Sequence, residues 1–470
     1  MAIEARPQDQ QGSGTPYSAY GLGDLMGNNQ VSQALMGGVS IGLNDPFSVI
    51  HANPASYISL RLPAFETGLV SRALRFELGE ASANGNRTEM LGLSLGIPIG
   101  RGSFLQGASQ RANRWALALG VHPVSDVGYS ISESAPLEGY GDLRFEYSGD
   151  GGLTRAFLGA ALTLWQNNDT IEKGSRLSIG ANLNYLFGHI EETRKAYYPI
   201  SSNSYNTSVS TSLIVRSPTV NSSIQFSGDL IPLVKVKERL DRRWAAVSET
   251  DSVVQRTRRA AEPLRYSIAL AAELPASLAA ERTELVNSFV VGSFGVEFPY
   301  DTVRFQDGAK GTAELPLMIG AGFSIYNSRW TLALDHRRRD WSQYVVRVDD
   351  QELRSELVTH AIYALGASFR PAGNGGGSLF ERTTYRAGVR YAQDYRIVVG
   401  TQLQEIGMGF GMSLPLMNRT TRSRINFGVE ARERGTTEGG LLRERSINFF
   451  VGITITPDVR EQWFKKRRLE

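Results

Sequence analysis

The stretch 404–414 reads QEIGMGFGMSL, and its large side chains fall on every second residue. Glycine, glutamate and serine fill the positions between them, so the pattern predicts a β-strand with one apolar face. The run is about ten residues long, the length of a tilted membrane-spanning strand, whereas strands of soluble proteins cluster near five or six. The apolar positions are Ile406, Met408, Phe410, Met412 and Leu414.

The same alternation recurs along the chain from about residue 63 onward. Arginine, glutamate and asparagine occupy successive positions of the other face, which a water-filled lumen tolerates and the dry core of a β-sandwich does not. The sequence therefore predicts an all-β outer-membrane β-barrel, and a soluble all-β fold is the alternative. The predicted outward residues of the clearest runs are Leu91, Leu93, Leu95 and Ile97; Trp115, Leu117, Leu119 and Val121; Leu177, Ile179, Ala181, Leu183, Tyr185 and Phe187; Tyr385, Ala387, Val389 and Tyr391; Ile425, Phe427, Val429 and Ala431; and Ile447, Phe449, Val451, Ile453 and Ile455.

Fifteen candidate runs can be marked on the sequence. Single-chain bacterial barrels have an even number of strands, so we expect about 14 antiparallel strands, with a surplus run belonging to a longer, bulged strand. Asn84-Gly85, Asn327-Ser328 and Asn374-Gly375 are predicted turns between neighbouring strands. The runs start near Ala64, Thr88, Ala112, Gly152, Arg176, Asn206, Leu264, Ser277, Ala313, Trp330, Leu357, Thr383, Gln404, Arg422 and Arg445.

Three segments fall outside this series. Residues 1–62 are rich in glycine, lack long alternation and precede the first strand, so we expect an N-terminal arm and hatch, a plug for a barrel spanning 63–456. Residues 234–262 carry a run of charges and a stretch compatible with a helix, which predicts a long charged external loop. Residues 457–470 form a basic C-terminal tail.

Composition excludes several classes of protein. The 50 Lys and Arg residues against 47 Asp and Glu give a net charge of +3, too balanced to predict nucleic acid as a partner. The absence of cysteine removes disulfides, thiolate metal sites and cysteine nucleophiles. No stretch has the ~18 consecutive apolar residues of a membrane helix. Residues 1–11 are polar, so the given chain carries no signal peptide, and we interpret it as a mature protein of the bacterial outer membrane.

The N-terminal segment carries a family resemblance. It contains Pro16-Tyr17-Ser18, then Gly37-Gly38, then Asp45 followed by Asn53-Pro54-Ala55. This ordered set resembles the hatch of the outer-membrane long-chain fatty acid transporters, the FadL/TodX type. The Pro-Tyr-Ser start and the basic C-terminal end 463–468 are similar to the PorV-like branch, which includes components of a secretion system.

The resemblance implies a fourteen-stranded barrel blocked by a hatch, with apolar ligands leaving sideways through a gap in the wall. The hatch motif would comprise Gly37, Gly38, Asp45, Asn53, Pro54 and Ala55. Proline fixes the backbone and removes a donor, so we expect Asn53-Pro54-Ala55 to shape the hatch, with direct ligand contact as the alternative. No ligand-binding residue can be transferred from the family.

Other motifs do not predict chemistry. Gly38-Val39-Ser40-Ile41-Gly42 and 92–96 both match Gly-x-Ser-x-Gly, a pattern expected by chance in a glycine-rich chain. The five histidines lack metal-ligand spacing, so we predict no catalytic residue, no metal and no cofactor. Arg337 to Arg339 are expected at the membrane interface, with Trp341 and Tyr344 in the aromatic girdle; phosphate or lipopolysaccharide binding is the alternative.

Two functions from different classes remain open. The first is passive uptake of a hydrophobic small molecule, such as a fatty acid, through a hatch-gated barrel. The second is a non-transporting barrel that serves as a subunit or docking partner of an outer-membrane secretion or assembly complex. A membrane-embedded hydrolase is a third and weaker hypothesis. The expected partners are outer-membrane lipid, with hydrophobic small molecules or other subunits of a complex according to the function.

Overall fold

The computed structural model describes residues 14–27, 30–99, 114–139, 141–167, 174–243, 262–349, 351–353, 356–373, 377–416 and 422–457. The strands are β1 (Asp24–Leu25), β2 (Ala64–Leu78), β3 (Ala81–Ile99), β4 (Trp115–Leu137), β5 (Gly141–Gln166), β6 (Arg176–Tyr197), β7 (Asn206–Ile231), β8 (Leu264–Glu273), β9 (Ala276–Val291), β10 (Glu297–Leu315), β11 (Met318–Tyr326), β12 (Trp330–Asp340), β13 (Val345–Val348), β14 (Gln351–Leu353), β15 (Thr359–Phe369), β16 (Thr384–Val398), β17 (Thr401–Pro415), β18 (Arg424–Arg434) and β19 (Arg443–Ile455). The helices are α1 (Val31–Ala34), α2 (Leu233–Arg243) and α3 (Leu379–Arg382). None of these helices is long and apolar enough to cross a membrane.

The strands of the described residues form a closed antiparallel barrel of 14 strands, as the sequence predicts. The wall runs from β2 through β8, continues with β11, β12 and β15 to β19, and closes where β19 pairs with β2. Both ends of the barrel lie at one rim, which we call the chain-end mouth, at Ala64 and Ile455. The opposite rim is the hairpin mouth.

The fifteen runs reduce to fourteen strands because two of them are one. β8 and β9 pair in succession with β7, at Asn221↔Glu273 and Arg216↔Ala279, and the Leu274 amide continues the ladder to Val220. Only the short interruption at Pro275 separates them, since proline cannot donate to a ladder. β10 and β11 likewise form one strand of the wall, in which β10 pairs with β9 and β11 pairs with β8.

The outward face follows the predicted alternation. Leu183, Met408 and Val451 are each more than half exposed, and many other large apolar residues of this parity in the middle of the wall are also exposed. β4 to β7 reach 22–26 residues, far more than the nine to eleven that we expected from the apolar runs. These strands extend past the apolar band toward the hairpin mouth, where the apolar pattern no longer marks them.

The structure corrects two expectations about β3 and confirms one predicted turn. Leu91 faces the interior, because a bulge near Gly68 and the left-handed Gly92 (φ +104°) reverse the parity of β3. Asn84-Gly85 lies inside β3 and is not a turn; the hairpin turns at residues 79–80. The predicted turn at Asn327-Ser328 does join β11 and β12.

Trp341 and Tyr344 are not in an aromatic girdle. They are 2% and 4% exposed and pack inside the barrel with Tyr395. They belong to an apolar cluster on the hairpin side of the lumen, to which β4, β5, β6, β7, β9 and β10 also contribute. The aromatic residues therefore stabilise the interior and do not anchor this part of the barrel in the lipid.

The described part of the N-terminal segment, 14–62, lies within the ring of strands. Its residues contact inward-facing groups on opposite sides of the barrel, among them Glu66 on β2, Ser223 on β7 and Asp335 on β12. From Gln30 to Leu60 nearly every residue is buried. The lumen is thus occupied by the segment that precedes the wall.

The predicted charged loop begins with α2, at the chain-end mouth. It leaves the barrel from the end of β7 and returns at Leu264, and 244–261 lie outside the described residues. The predicted turn at Asn374-Gly375 and the basic tail from residue 458 also lie outside them.

Candidate functional site

Asp335 on β12 is clamped by the backbone of the N-terminal segment. Its carboxylate accepts hydrogen bonds from the amides of Ser40, Ile41 and Gly42, at 2.5, 2.6 and 2.9 Å. Asp335 is 1% exposed, so these three amides replace the water that would solvate the charge. The backbone of the first Gly-x-Ser-x-Gly motif, residues 38–42, therefore binds a carboxylate of the barrel wall.

Small residues allow this close approach. A Cβ on Gly322 would lie 2.1 Å from the amide nitrogen of Gly42, which is shorter than any allowed contact between non-bonded atoms. Gly37 has φ +71° and its Cβ would meet the Val389 carbonyl oxygen at 2.5 Å. Glycine is required on both sides of the contact, because the backbone of the segment touches the backbone of the wall.

Asn53-Pro54-Ala55 packs against the inner face of β6 and β7. The Asn53 amide group donates to the carbonyl of Ile41 (2.7 Å) and to Gln225 (3.0 Å), and its oxygen accepts from Ser223 (2.7 Å). Pro54 begins a 3₁₀ turn, Pro54–Ser59, and the Ala55 amide donates to the Ser223 hydroxyl. The tripeptide has its polar groups paired with the wall and the segment itself.

A second clamp surrounds Asp24, which we call the Asp24 cluster. The Asp24 carboxylate lies 3.1 Å from Arg396 and also pairs with Arg434, while Arg434 pairs with Glu444 at 2.8 Å. Burial alone would raise the pKa of Asp24, but the guanidinium groups, with Arg434 first, hold this pKa well below its ordinary value. The ionised carboxylate thus ties the arm to β16, β18 and β19.

The wall between β3 and β4 is paired over only part of its height. These strands are bonded from Leu93↔Val121 to Ile99↔Trp115, and toward the hairpin mouth they separate. The N-terminal segment enters the opening, where β1 pairs with Ser125 of β4. Arg87 of β3 spans the remaining space to Asp126 of β4. The ladder is interrupted, and the opening is filled by the chain itself.

Two histidines that are distant in sequence meet in the lumen. The rings of His51 and His122 are 5.6 Å apart and both pack against Phe157. Burial, followed by the charge of Arg155, lowers the pKa of His51 well below its ordinary value, so this ring is neutral at pH 7. No group of three or more metal-ligating side chains occurs in the part of the chain that the structure describes.

Cavities lie beside the N-terminal segment at both mouths of the barrel. One, of about 660 Å³ at the hairpin mouth, is lined by Tyr20, Leu213 and Tyr344 and by the charged Arg194 and Glu284. The other, of about 310 Å³ at the chain-end mouth, contains Asp45, whose carboxylate lies 3.7 Å from Arg424. Asp45 also accepts a hydrogen bond from the Phe47 amide, so it shapes its own turn.

The six residues of the predicted hatch motif are thus distributed over three places in the lumen. Gly37 and Gly38 lie beside β12 and β16, Asn53 to Ala55 against β7, and Asp45 at the chain-end mouth. Asp335 and the Asp24 cluster were not predicted from the sequence. Charged residues on the inward parity of membrane strands were the available signal, because such charges must be paired.

Fold and site together define an outer-membrane-type β-barrel whose lumen holds its own N-terminal segment. The family model BamG matches residues 1–470. This chain belongs to the BamG family. The predicted likeness to the PorV-like branch stays a prediction.

Solved structures support the fold. The toluene transporter TbuX of Ralstonia pickettii shares 13% identity and a TM-score of 0.52, over 91% of this chain and 98% of that one. A TodX monoaromatic hydrocarbon channel with deletions has 13% identity and a TM-score of 0.50, over 91% and 99%. Both neighbours are transport proteins. Comparison with curated proteins gives no match.

Proposed function

We propose that this chain is a non-transporting barrel of the bacterial outer membrane that serves as a subunit or docking partner of a secretion or assembly complex. The observation that supports this proposal is the set of buried contacts between the described part of the N-terminal segment, residues 14–27 and 30–62, and the barrel wall. Asp335, Asp24 and Glu66 are buried carboxylates that hold the segment to well-separated strands. A gate that moved the segment at each transport event would separate these carboxylates from their partners, at a cost of several kcal/mol for each charge that stays buried.

The hairpin β9–β10 offers a docking surface. Phe298, Val303 and Phe305 are 53%, 69% and 62% exposed. Within the described residues, 297–310 of β10 pair with β9 alone, so the outer edge of β10 carries unpaired backbone donors and acceptors. We propose that a partner protein adds an extended segment to this edge and covers the apolar side chains. Membership of the BamG family is compatible with such a role.

Purification from native outer membranes in mild detergent tests the proposal. We expect stoichiometric partner proteins with the tagged wild type and their loss with Phe298→Asp/Phe305→Asp. Thr302→Asp is the matched control, because it adds a charge on the same exposed hairpin without removing an apolar side chain. Purification without any protein partner, or equal recovery with all variants, would contradict the docking role.

A second candidate is passive uptake of a hydrophobic small molecule, such as a fatty acid. The unpaired stretch between β3 and β4 favours it, together with the cavity of about 660 Å³ beside Tyr20. Of the solved neighbours, TbuX is a toluene transporter and TodX a monoaromatic hydrocarbon channel. Under this function, Gly37, Gly38 and the Asn53-Pro54-Ala55 turn would belong to a moving hatch.

Uptake of a fluorescent fatty acid by cells that lack their own transporter distinguishes the two functions. A subunit gives no uptake above cells with an empty vector. Uptake that requires this chain, with no co-purifying protein, would replace the first proposal by the second.

A further inference from the structure

A dense group of arginines lines the cavity of about 310 Å³ at the chain-end mouth. Only Asp45 and Glu262 supply carboxylates to the same lining. We call this site the arginine basin. Its arginines are Arg61, Arg176, Arg265, Arg329, Arg370, Arg386 and Arg424.

Several of these charges have no counter-charge among the described residues. Arg265 pairs with Asp229 at 3.1 Å, and Arg424 lies 3.7 Å from Asp45. In the described parts of the chain, no carboxylate lies within ion-pair distance of Arg176, Arg370 or Arg386. Arg176 and Arg386 are nonetheless only 7% and 4% exposed. Nε and Nη1 of Arg176, and Nε of Arg370, have no hydrogen-bond partner among the described residues.

Such an arrangement is unfavourable for an empty site. Arg176 and Arg386 each donate one hydrogen bond to a serine hydroxyl, but burying a guanidinium without a counter-charge still costs free energy, and each additional cation in the same cavity raises that cost through repulsion. Burial, together with the charges of Arg422, Arg424 and Arg382, lowers the pKa of Arg370 to about 10. The basin is therefore built to receive an anion with several oxygens, which guanidinium groups bind in a bidentate manner.

The position of the basin indicates the source of that anion. Trp330 and Phe369 stack at 4.0 Å on the outside of the barrel, directly next in sequence to Arg329 and Arg370. Phe380 on α3 is 71% exposed at the same mouth. Aromatic residues on the outer face mark the level of the lipid head groups, so the basin lies at head-group depth. Its apolar lining includes Met36, Leu43 and Phe47, which offers a surface for the carbon atoms next to a phosphate.

We propose that the arginine basin binds a phosphate group, supplied by the head group of a membrane phospholipid. This inference is independent of the docking role, because it concerns the lumen at the chain-end mouth and not the β9–β10 hairpin.

The test compares the full-length wild type with Arg370→Gln/Arg386→Gln. Arg75→Gln/Arg445→Gln is the matched control, because it removes two arginines near the hairpin mouth, both about half exposed or more. Each protein is purified in detergent, and bound phospholipid is counted by phosphorus analysis and native mass spectrometry. Thermal stabilisation is then measured with inorganic phosphate, with pyrophosphate and with vesicles of phosphatidylglycerol. Arg386→Lys, which keeps the charge and loses the bidentate geometry, is measured in parallel.

We expect retained phospholipid in the wild type and control, and at least about tenfold weaker binding in the double variant, since two charge-assisted contacts are lost. Without ligand, the double variant should be at least as stable as the wild type, because unpaired buried charges are removed. Stabilisation by phosphate or pyrophosphate but not by vesicles would overturn the lipid source. Equal phospholipid in wild type and double variant, or stabilisation by an acidic peptide alone, would overturn the phosphate site.

Discussion

Replacing Asp335 by asparagine should loosen the loop 38–42 within a folded barrel. Two of the three backbone amides donate to one carboxylate oxygen and the third, that of Gly42, to the other. The side-chain oxygen of asparagine can still accept the hydrogen bonds from Ser40 and Ile41. Its NH2 group then faces the Gly42 N–H, and because both groups are donors, no hydrogen bond forms between them. Losing the charge on two bonds costs ~0.5–1 kcal/mol each, and one unpaired buried N–H adds ~1–3 kcal/mol. The sum is about 3 kcal/mol, or roughly a hundredfold in the equilibrium for local opening.

Hydrogen exchange followed by mass spectrometry measures this opening directly. We expect peptides that cover 38–42 to exchange roughly a hundredfold faster in Asp335→Asn, while the wall strands stay protected. Asp301→Asn is the control, because Asp301 lies on the exposed hairpin, away from the lumen. If exchange in 38–42 changes by less than about threefold in a folded variant, the clamp does not hold the segment as we have argued.

Three further predictions concern the same interior. Gly322→Ala should lower the thermal midpoint of the folded barrel by the equivalent of ~1–3 kcal/mol, because the methyl group would displace Gly42; Gly407→Ala, whose nearest neighbour is the flexible Glu430 carboxylate at 3.2 Å, should change it less. The pKa of Asp24 is lowered in the folded state, so the stability that its ionised carboxylate contributes is complete above about pH 4. This stability is lost as the pH falls from about 4 toward the pKa of Asp24 in the folded protein. Pepsin should therefore cleave the arm of the wild type increasingly below about pH 4, and Asp24→Asn should remove that pH dependence. Asn53→Ala removes contacts to Ile41, Gln225 and Ser223, so planar-bilayer conductance should rise above that of the wild type; an unchanged conductance with a folded barrel would argue against Asn53 as part of the seal.

The sequence predicts the wall well and the lumen poorly, for one physical reason. Lipid is uniform, so every outward position must be apolar, and the period of two identifies the strands without knowledge of their neighbours. The residue type at an inward position depends instead on its particular contact partners, which are far away in sequence. Arg337 shows the difference: its charge suggested an interface, whereas its guanidinium donates to the Gly38 carbonyl inside the barrel.

Local irregularities were equally hidden. The bulge that turns Leu91 inward depends on a register shift against β2, which no pattern within β3 reveals. The predicted hatch residues were found through their resemblance to a family, but their partners Ser223, Gln225 and Asp335 belong to ordinary alternating strands. A lumen assembled from side chains of separate strands has no contiguous sequence signature.

The contact between Thr15 and Glu444 joins residues 429 positions apart, nearly the full length of the chain. The arm that enters the lumen is synthesised before the wall, and its anchors on β16, β18 and β19 follow 372 or more residues later. Folding must therefore pay the full loop-closure entropy before these contacts form, which predicts a slow final step. During that interval the inner charges face water, and the edges of β2 and β19 are open to other chains. We therefore expect locking of the arm and closure of the ring to occur together in biogenesis, and a chain truncated before β18 to complete neither, because it lacks Arg434, Glu444 and the β19 strand that pairs with β2.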